Sequence, residues 1–156
     1  NFFTADPHFW HQQVIAYCHR PFASLDEMHD TLIYHSNSLV RPSDTLYVLG
    51  DFSFGSAKQT AAVLARMHGY KILVRGNHDA QHTDARWKKL GFCDVVTNTR
   101  LHIGDTPVWL SHFPYAGQEH DPRTFDQQLP DDGSFLVHGH VHRAWTHQGR
   151  MINVGV

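Results

Sequence analysis

The chain has 156 residues, 41% hydrophobic and 18% charged, a balance that fits one soluble globular domain with a real core. Its formal net charge is −2 with neutral histidines, so no overall basic field recruits nucleic acid or an anionic membrane. Cys18 and Cys93 lack C-x-x-C spacing and make neither a disulfide framework nor a thiolate zinc site, and no run approaches the roughly 18 apolar residues of a membrane span.

The expectation from these limits is a single domain over residues 1–156 in a reducing, cytoplasmic setting. The N-terminus lacks the basic-then-apolar plan of a signal peptide. Phe2 to Ala5 reads as a short buried strand closed by Asp6-Pro7, and the chain opens almost inside it. Phe9 to about Tyr17 has helical spacing and is broken by Arg20-Pro21-Phe22. Ser24 to Glu27 reads as a capping box, with Ser24 as N-cap and Glu27 reaching back. Leu25, Met28, Leu32, Ser36 and Leu39 then share one helical face. Thr45 to Leu49 is a continuous apolar run, the pattern of a strand buried on both sides. Ser56 to about His68 is a second capped helix stopped by Gly69. Lys71 to Val74 is a strand, Asp84 to Leu90 a helix, and Asp94 to Thr97 a short strand.

From there the pattern turns to strands. Thr99 to Ile103 and Pro107 to Leu110 predict a hairpin across Gly104-Asp105. Phe135 to Val137 leads into a Gly-His-x-His segment. His142 to Thr146 and Met151 to Val154 predict a second hairpin turning at Gln148-Gly149. Gln118 to Gly133 is polar, without clear period, and reads as a surface loop or lid. The fold class expected is α/β, two packed sheets with helices outside and loops gathered at one edge.

Histidine is the unusual residue: 15 of them, against 13 Lys and Arg together. His29, His35, His68, His82, His120 and His147 lie in polar or helical contexts with no motif around them. Five others, His8, His78, His112, His140 and His142, fall in ordered motifs that each follow a hydrophobic run: Asp6-Pro7-His8, Gly50-Asp51, Gly76-Asn77-His78-Asp79, Ser111-His112 and Gly139-His140-Val141-His142. On an extended strand end, residues i and i+2 point the same way, so Asp6 with His8, and His140 with His142, can each reach one ion. Pro7 favours an extended Asp6. With Asp51, Asn77 and His112 this makes seven potential ligands, three oxygen donors and four imidazoles. Such a set suits Zn, Fe, Mn or Ni.

Seven ligands are too many for one first-row ion that keeps room for water. A carboxylate bridging two ions, roughly 3.5–4 Å apart, resolves this and points to in-line hydrolysis of a phosphate ester. His78 is the acid expected to serve the leaving alkoxide, with Asp79 orienting its ring or keeping it protonated.

The ordered set resembles the calcineurin-like metallophosphoesterase superfamily over essentially the whole chain, most closely its small single-domain bacterial and bacteriophage members. The resemblance rests on D-x-H, G-D, G-N-H-D, a lone His and G-H-x-H. It implies a four-layer α-β-β-α sandwich. It also implies Asp6, His8, Asp51 and His142 around a first metal, and Asp51, Asn77, His112 and His140 around a second, with Asp51 bridging and His78 on the substrate phosphate. The metals implied are two divalent ions, with Mn favoured for activity over Fe, Zn or Ni. The stretch His8-Phe9-Trp10-His11 is similar to H-F-G-H in small members, with Trp10 in place of a small residue. Gly50 to Gly55 lacks the Arg that protein-phosphatase members carry just after the Asp.

The substrate expected is a small phosphate ester, with nucleotide-like phosphodiesters favoured over monoesters. His11 either contacts a phosphate oxygen or lies against the metal cluster, and reads equally as a surface histidine at a helix N-terminus; Arg20 is a potential phosphate clamp but reads more readily as a helix C-terminal charge. Trp10, Phe54 and Tyr115 are a potential aromatic wall for a nucleobase or aryl group. The alternatives are a nuclease acting on nucleic-acid ends, against which the acidic balance argues, and a non-catalytic metal-bound interaction module, in which His78 would have no use.

Overall fold

A computed structural model describes residues 1–117 and 122–156. Its elements run β1 (Phe2–Thr4), α1 (Gln12–Tyr17), α2 (Leu25–Leu39), β2 (Thr45–Leu49), α3 (Ala57–Arg66), β3 (Tyr70–Val74), α4 (Asp84–Leu90), β4 (Asp94–Val96), β5 (Asn98–Ile103), β6 (Thr106–Ser111), β7 (Phe135–His138), β8 (His147–Gln148) and β9 (Met151–Asn153). Two 3-10 helices, Asn77–Gln81 and Pro122–Gln127, interrupt the series. Strands β1 to β4 form a parallel sheet in chain order. The second sheet has the order β5-β6-β7-β9-β8 and is mixed, with β6, β7 and β9 parallel and the outer pairs antiparallel.

Strand β2 shows why the two sheets stack. Its alternate residues Leu46 and Val48 join a core cluster with Ile33 of α2, Val63 and Leu64 of α3, and Trp87 and Leu90 of α4. The intervening Tyr47 and Leu49 join a second cluster with Val108 and Leu110 of β6 and Val137 of β7. One face of the strand therefore packs on helices and the other on the second sheet, so the run has no polar side. Full burial of a side chain such as Leu49 stabilises the fold by about 1.5–3 kcal/mol. Beyond the second sheet, Tyr115, Leu136 and Met151 form a third cluster, with Trp109, Leu129 and Trp145 packed against it.

Several boundaries differ from the sequence expectation. Helix α1 begins at Gln12 because Phe9 is drawn into a parallel bridge with Ser53 and is buried in the core. At α2 the Ser24 side chain accepts from Glu27 N–H, but Glu27 reaches past Ser24 and accepts from Ala23 N–H at 2.7 Å. The reciprocal capping box is at α3, between Ser56 and Gln59. The second hairpin is β8 with β9, and His147 pairs with Ile152. His142 to Thr146 forms turns instead of a strand, because Asn153 Nδ2 donates to the carbonyls of His142 and Trp145. Within the segment read as a loop or lid, 118–121 lies outside the described residues, Pro122–Gln127 is a 3-10 helix, and Leu129 is packed.

Candidate metal centre

The motifs meet because they follow the carboxyl ends of neighbouring parallel strands: Asp6 and His8 after β1, Asp51 after β2, Asn77 after β3, His112 after β6, and His140 and His142 after β7. This is where parallel α/β sheets open a crevice. An isolated bridge between Ala5 and Gly155 ties the two sheets together beside it.

The backbone reaches this geometry differently from the sequence expectation. Asp6 and His8 are not extended; their φ angles are 54° and 51°, in the left-handed region. Asp51 (55°), His140 (69°) and His142 (47°) share it. Asp and His are among the residues that tolerate this region, at about 1–3 kcal/mol each. At Asp6 the preference set by Pro7 is overridden by tertiary bonds. Its N–H donates to Gly50 O at 3.1 Å, and Arg20 donates to the carbonyls of Asp6 and Pro7 at 2.6 and 2.8 Å.

Each Asp spends one oxygen on a neighbouring motif and keeps the other. Asp6 Oδ2 accepts from His140 N–H at 2.9 Å, whereas Asp6 Oδ1 is buried with no hydrogen bond. Asp51 Oδ1 accepts from His78 N–H at 3.0 Å. Asp51 Oδ2 lies 3.7 Å from His8 Nε2 and 3.6 Å from His112 Nε2. Two groups result, Asp6–His8–His142 and Asp51–His112–His140, each with ligand atoms within 4.8 Å of one another. Asn77 joins the second, its Oδ1 being 3.1 Å from His112 Nε2. Asp51 stands between the two groups.

The donor chemistry fits a pair of cations. Asp6 Oδ1, His8 Nε2 and His142 Nδ1 are buried and have no hydrogen-bond partner, which is costly for polar atoms. In the other group His112 Nδ1 donates to Leu49 O at 2.8 Å, so Nε2 presents a lone pair, and it faces Asn77 Oδ1 and, at 3.2 Å, His140 Nδ1. Convergent lone pairs of this kind call for a positive charge among them. Burial, aided by Asp51, raises the Asp6 carboxyl well above its usual range. Burial also pulls His8 down to about 2 and His112 and His142 to about 4, which keeps the imidazoles neutral. Gly76 must be glycine here, because a Cβ would overlap Asp51 Oδ1 and Asp51 N.

Other residues singled out in the sequence fall into two sets. His78, His11 and Phe54 stand at the centre: His78 Nε2 is 3.9 Å from Asp51 Oδ2, and Phe54 stacks on His11 with ring centroids 4.1 Å apart. Asp79, Arg20, Trp10 and Tyr115 face elsewhere. Both Asp79 oxygens accept backbone N–H groups, from Gly76, Asp51 and Phe52 at 2.8, 2.8 and 3.1 Å, and neither bonds to the His78 ring. Burial, with Asp51 next, lifts this carboxyl to about 7 against the pull of those donors. Arg20 serves the backbone in place of a phosphate or a helix end: its Nη1 and Nη2 donate to the carbonyls of Asp6, Pro7 and Val156, and its Nε is buried without a partner. Trp10 packs against the helical core cluster, and a Cβ on Gly55 would lie 2.5 Å from its ring. Tyr115 is 2% exposed, and its hydroxyl donates to Ser134 O.

Three contributors carried no sequence signal. His29 is buried, and its Nε2 accepts from the N–H of Trp10, whose φ is 65°. His138 is buried beside the ring of Trp145. Asn153 holds the loop that carries His142.

Two stacked sheets with paired His/Asp clusters at their carboxyl edge define an α/β protein built to bind metal. Residues 16–155 match the calcineurin-like phosphoesterase superfamily domain, and the chain belongs to that superfamily. It is 37% identical over 159 residues to the gene 66 protein of Mycobacterium phage L5, spanning 90% of this chain and 76% of the relative. The gene 66 protein of Mycobacterium phage D29 is 31% identical over 175 residues, spanning 99% and 86%. The crystal structure of the Aquifex aeolicus protein AQ665 superposes with a TM-score of 0.76 at 24% identity, covering 99% of this chain and 90% of that one, a likeness of fold. No helix among the described residues is long and apolar enough to cross a membrane.

Proposed function

We propose that this chain is a two-metal phosphoesterase that hydrolyses small phosphate esters. The observation that carries this reading is the set of unpartnered buried ligand atoms, Asp6 Oδ1, His8 Nε2 and His142 Nδ1, beside a second His/Asp group, with Asp51 Oδ2 between them. Asp6, His8 and His142 would hold one ion and Asn77, His112 and His140 the other, with Asp51, whose Oδ2 lies near both His8 and His112, available to both. When bound, the ions supply a Lewis-acid centre that activates water near neutral pH and offsets the charge of the phosphate.

The chain's own groups do the rest. His78, with a side chain 47% exposed at the mouth of the site, donates a proton to the leaving oxygen. Its backbone N–H fixes Asp51 Oδ1, so the acid and the bridging carboxylate are set by one short segment. Asp79 positions that segment through its three backbone bonds and does not act on the ring. Of the three aromatic residues expected to favour nucleotide-like diesters, Phe54 alone is at the site, so Phe54 carries that preference.

The test is activity on bis(p-nitrophenyl) phosphate by metal-free protein before and after addition of Mn²⁺, Fe²⁺, Ni²⁺ or Zn²⁺, with mono- and 2′,3′-cyclic phosphates run beside it. Activity is expected with added metal, Mn²⁺ giving the highest rate. Silence with every ion and every ester would refute the enzyme.

A further inference from the structure

His8 has two ring nitrogens with different neighbours. Nε2 is buried without a hydrogen bond and faces Asp6 Oδ1 at 4.0 Å and Asp51 Oδ2 at 3.7 Å. Nδ1 faces His11 Nδ1 at 3.1 Å. A ligand imidazole that gives its Nε2 lone pair to an ion keeps its one ring proton on Nδ1. That proton needs an acceptor, which usually sets ring orientation and ligand basicity. The atom in place to accept it is His11 Nδ1, with the His11 proton then on Nε2.

The His11 ring is held for this task. It sits at the start of α1, where its N–H donates to His8 O at 3.1 Å, closing a short turn that brings the two rings together. Phe54 stacks on His11 at 4.1 Å with an interplanar angle of 23°, and on His8 at 5.3 Å with 18°. One aromatic face therefore backs both imidazoles and limits rotation of either.

We propose that His11 is a positioning residue for the metal centre: it accepts the Nδ1 proton of His8, with Phe54 locking both rings, and thereby tunes the affinity of the His8 ion. This rests on His8 being a metal ligand, and it replaces the reading of His11 as a phosphate contact. The two roles of His11 use different atoms. An asparagine places Oδ1 where His11 Nδ1 lies, whereas a glutamine reaches the place of Nε2.

The experiment is Mn²⁺ titration by calorimetry of the wild type, His11→Ala, His11→Asn and His11→Gln, each first checked for folding by thermal melting in chelator. His11→Ala is expected to weaken one of the two ions by about 10–100-fold. His11→Asn should restore affinity to within a few-fold, and His11→Gln should not. If His11→Ala binds both ions as the wild type does, or if glutamine rescues and asparagine does not, the assignment of His11 is overturned while the two-metal reading stands. If the wild type itself takes up no ion, the two-metal reading falls and this one with it.

Discussion

Replacing Asp79 separates a positioning role from a catalytic one. Its carboxylate is fully buried and accepts three backbone N–H groups, from Gly76, Asp51 and Phe52. Truncation in Asp79→Ala leaves three buried donors unmatched, at about 1–3 kcal/mol each. Water entering the vacated space lowers the total to about 3–4 kcal/mol, a large part of the roughly 5–15 kcal/mol that holds a domain. At an m-value of about 2 kcal/mol/M, the urea midpoint drops by about 1.5–2 M. Asp79→Asn is milder. Its Oδ1 keeps the bonds from Asp51 and Gly76, its amide meets Phe52 N–H, and the loss is about 1–3 kcal/mol. Because two of those donors flank Asp51, both variants should also bind less metal, measured by mass spectrometry of the washed protein. A midpoint and metal content equal to wild type in Asp79→Asn, with turnover lost, would refute the positioning role and restore Asp79 as the partner of His78.

His78→Ala should keep both ions and lose about 10²–10⁴-fold in turnover; an equal loss of metal would mean that the ring is a ligand and not the acid. The metal-free protein should lose stability as pH falls from about 6.5 toward 4, read as the urea midpoint in chelator. Burial depresses His8 to about 2 and His112, His138 and His142 to about 4, so the unfolded chain binds their protons first. The raised carboxyls of Asp6 and Asp79 oppose this trend but are outnumbered, and a flat profile would refute the burial argument. Tyr115→Phe removes only the bond to Ser134 O; it should cost about 1 kcal/mol and leave catalysis untouched, whereas a change in KM would return Tyr115 to the substrate site.

Strand and helix order was legible because periodicity reports burial: Thr45–Leu49 is unbroken since both of its faces are covered. The ligand residues were legible because their types and their places after hydrophobic runs are local properties of the chain. What was not legible depended on tertiary bonds. The left-handed turn at Asp6 is held by bonds with Gly50 and Arg20, and that at His8 by a bond to Asp51, none of them a neighbour in sequence. Asp79 looked like a partner for its neighbour His78, but its oxygens are claimed by three backbone N–H groups, two of them on a separate loop. Trp10 and Tyr115 lie near ligands in sequence and point away from them in space, a direction that no local pattern encodes, and Arg20 reaches the backbone of Asp6 and Pro7 only through the fold. His29 and Asn153 have ordinary sequence contexts, and their roles arise only from the segments that fold against them.

The central claim is that Asp51 bridges two ions, and anomalous diffraction from crystals of the Mn²⁺-loaded protein tests it directly. Two peaks are predicted, roughly 3.5–4 Å apart, with Asp51 Oδ2 between them. One should be bounded by Asp6, His8 and His142, the other by Asn77, His112 and His140. A single peak, or a pair that does not share Asp51, would contradict the account.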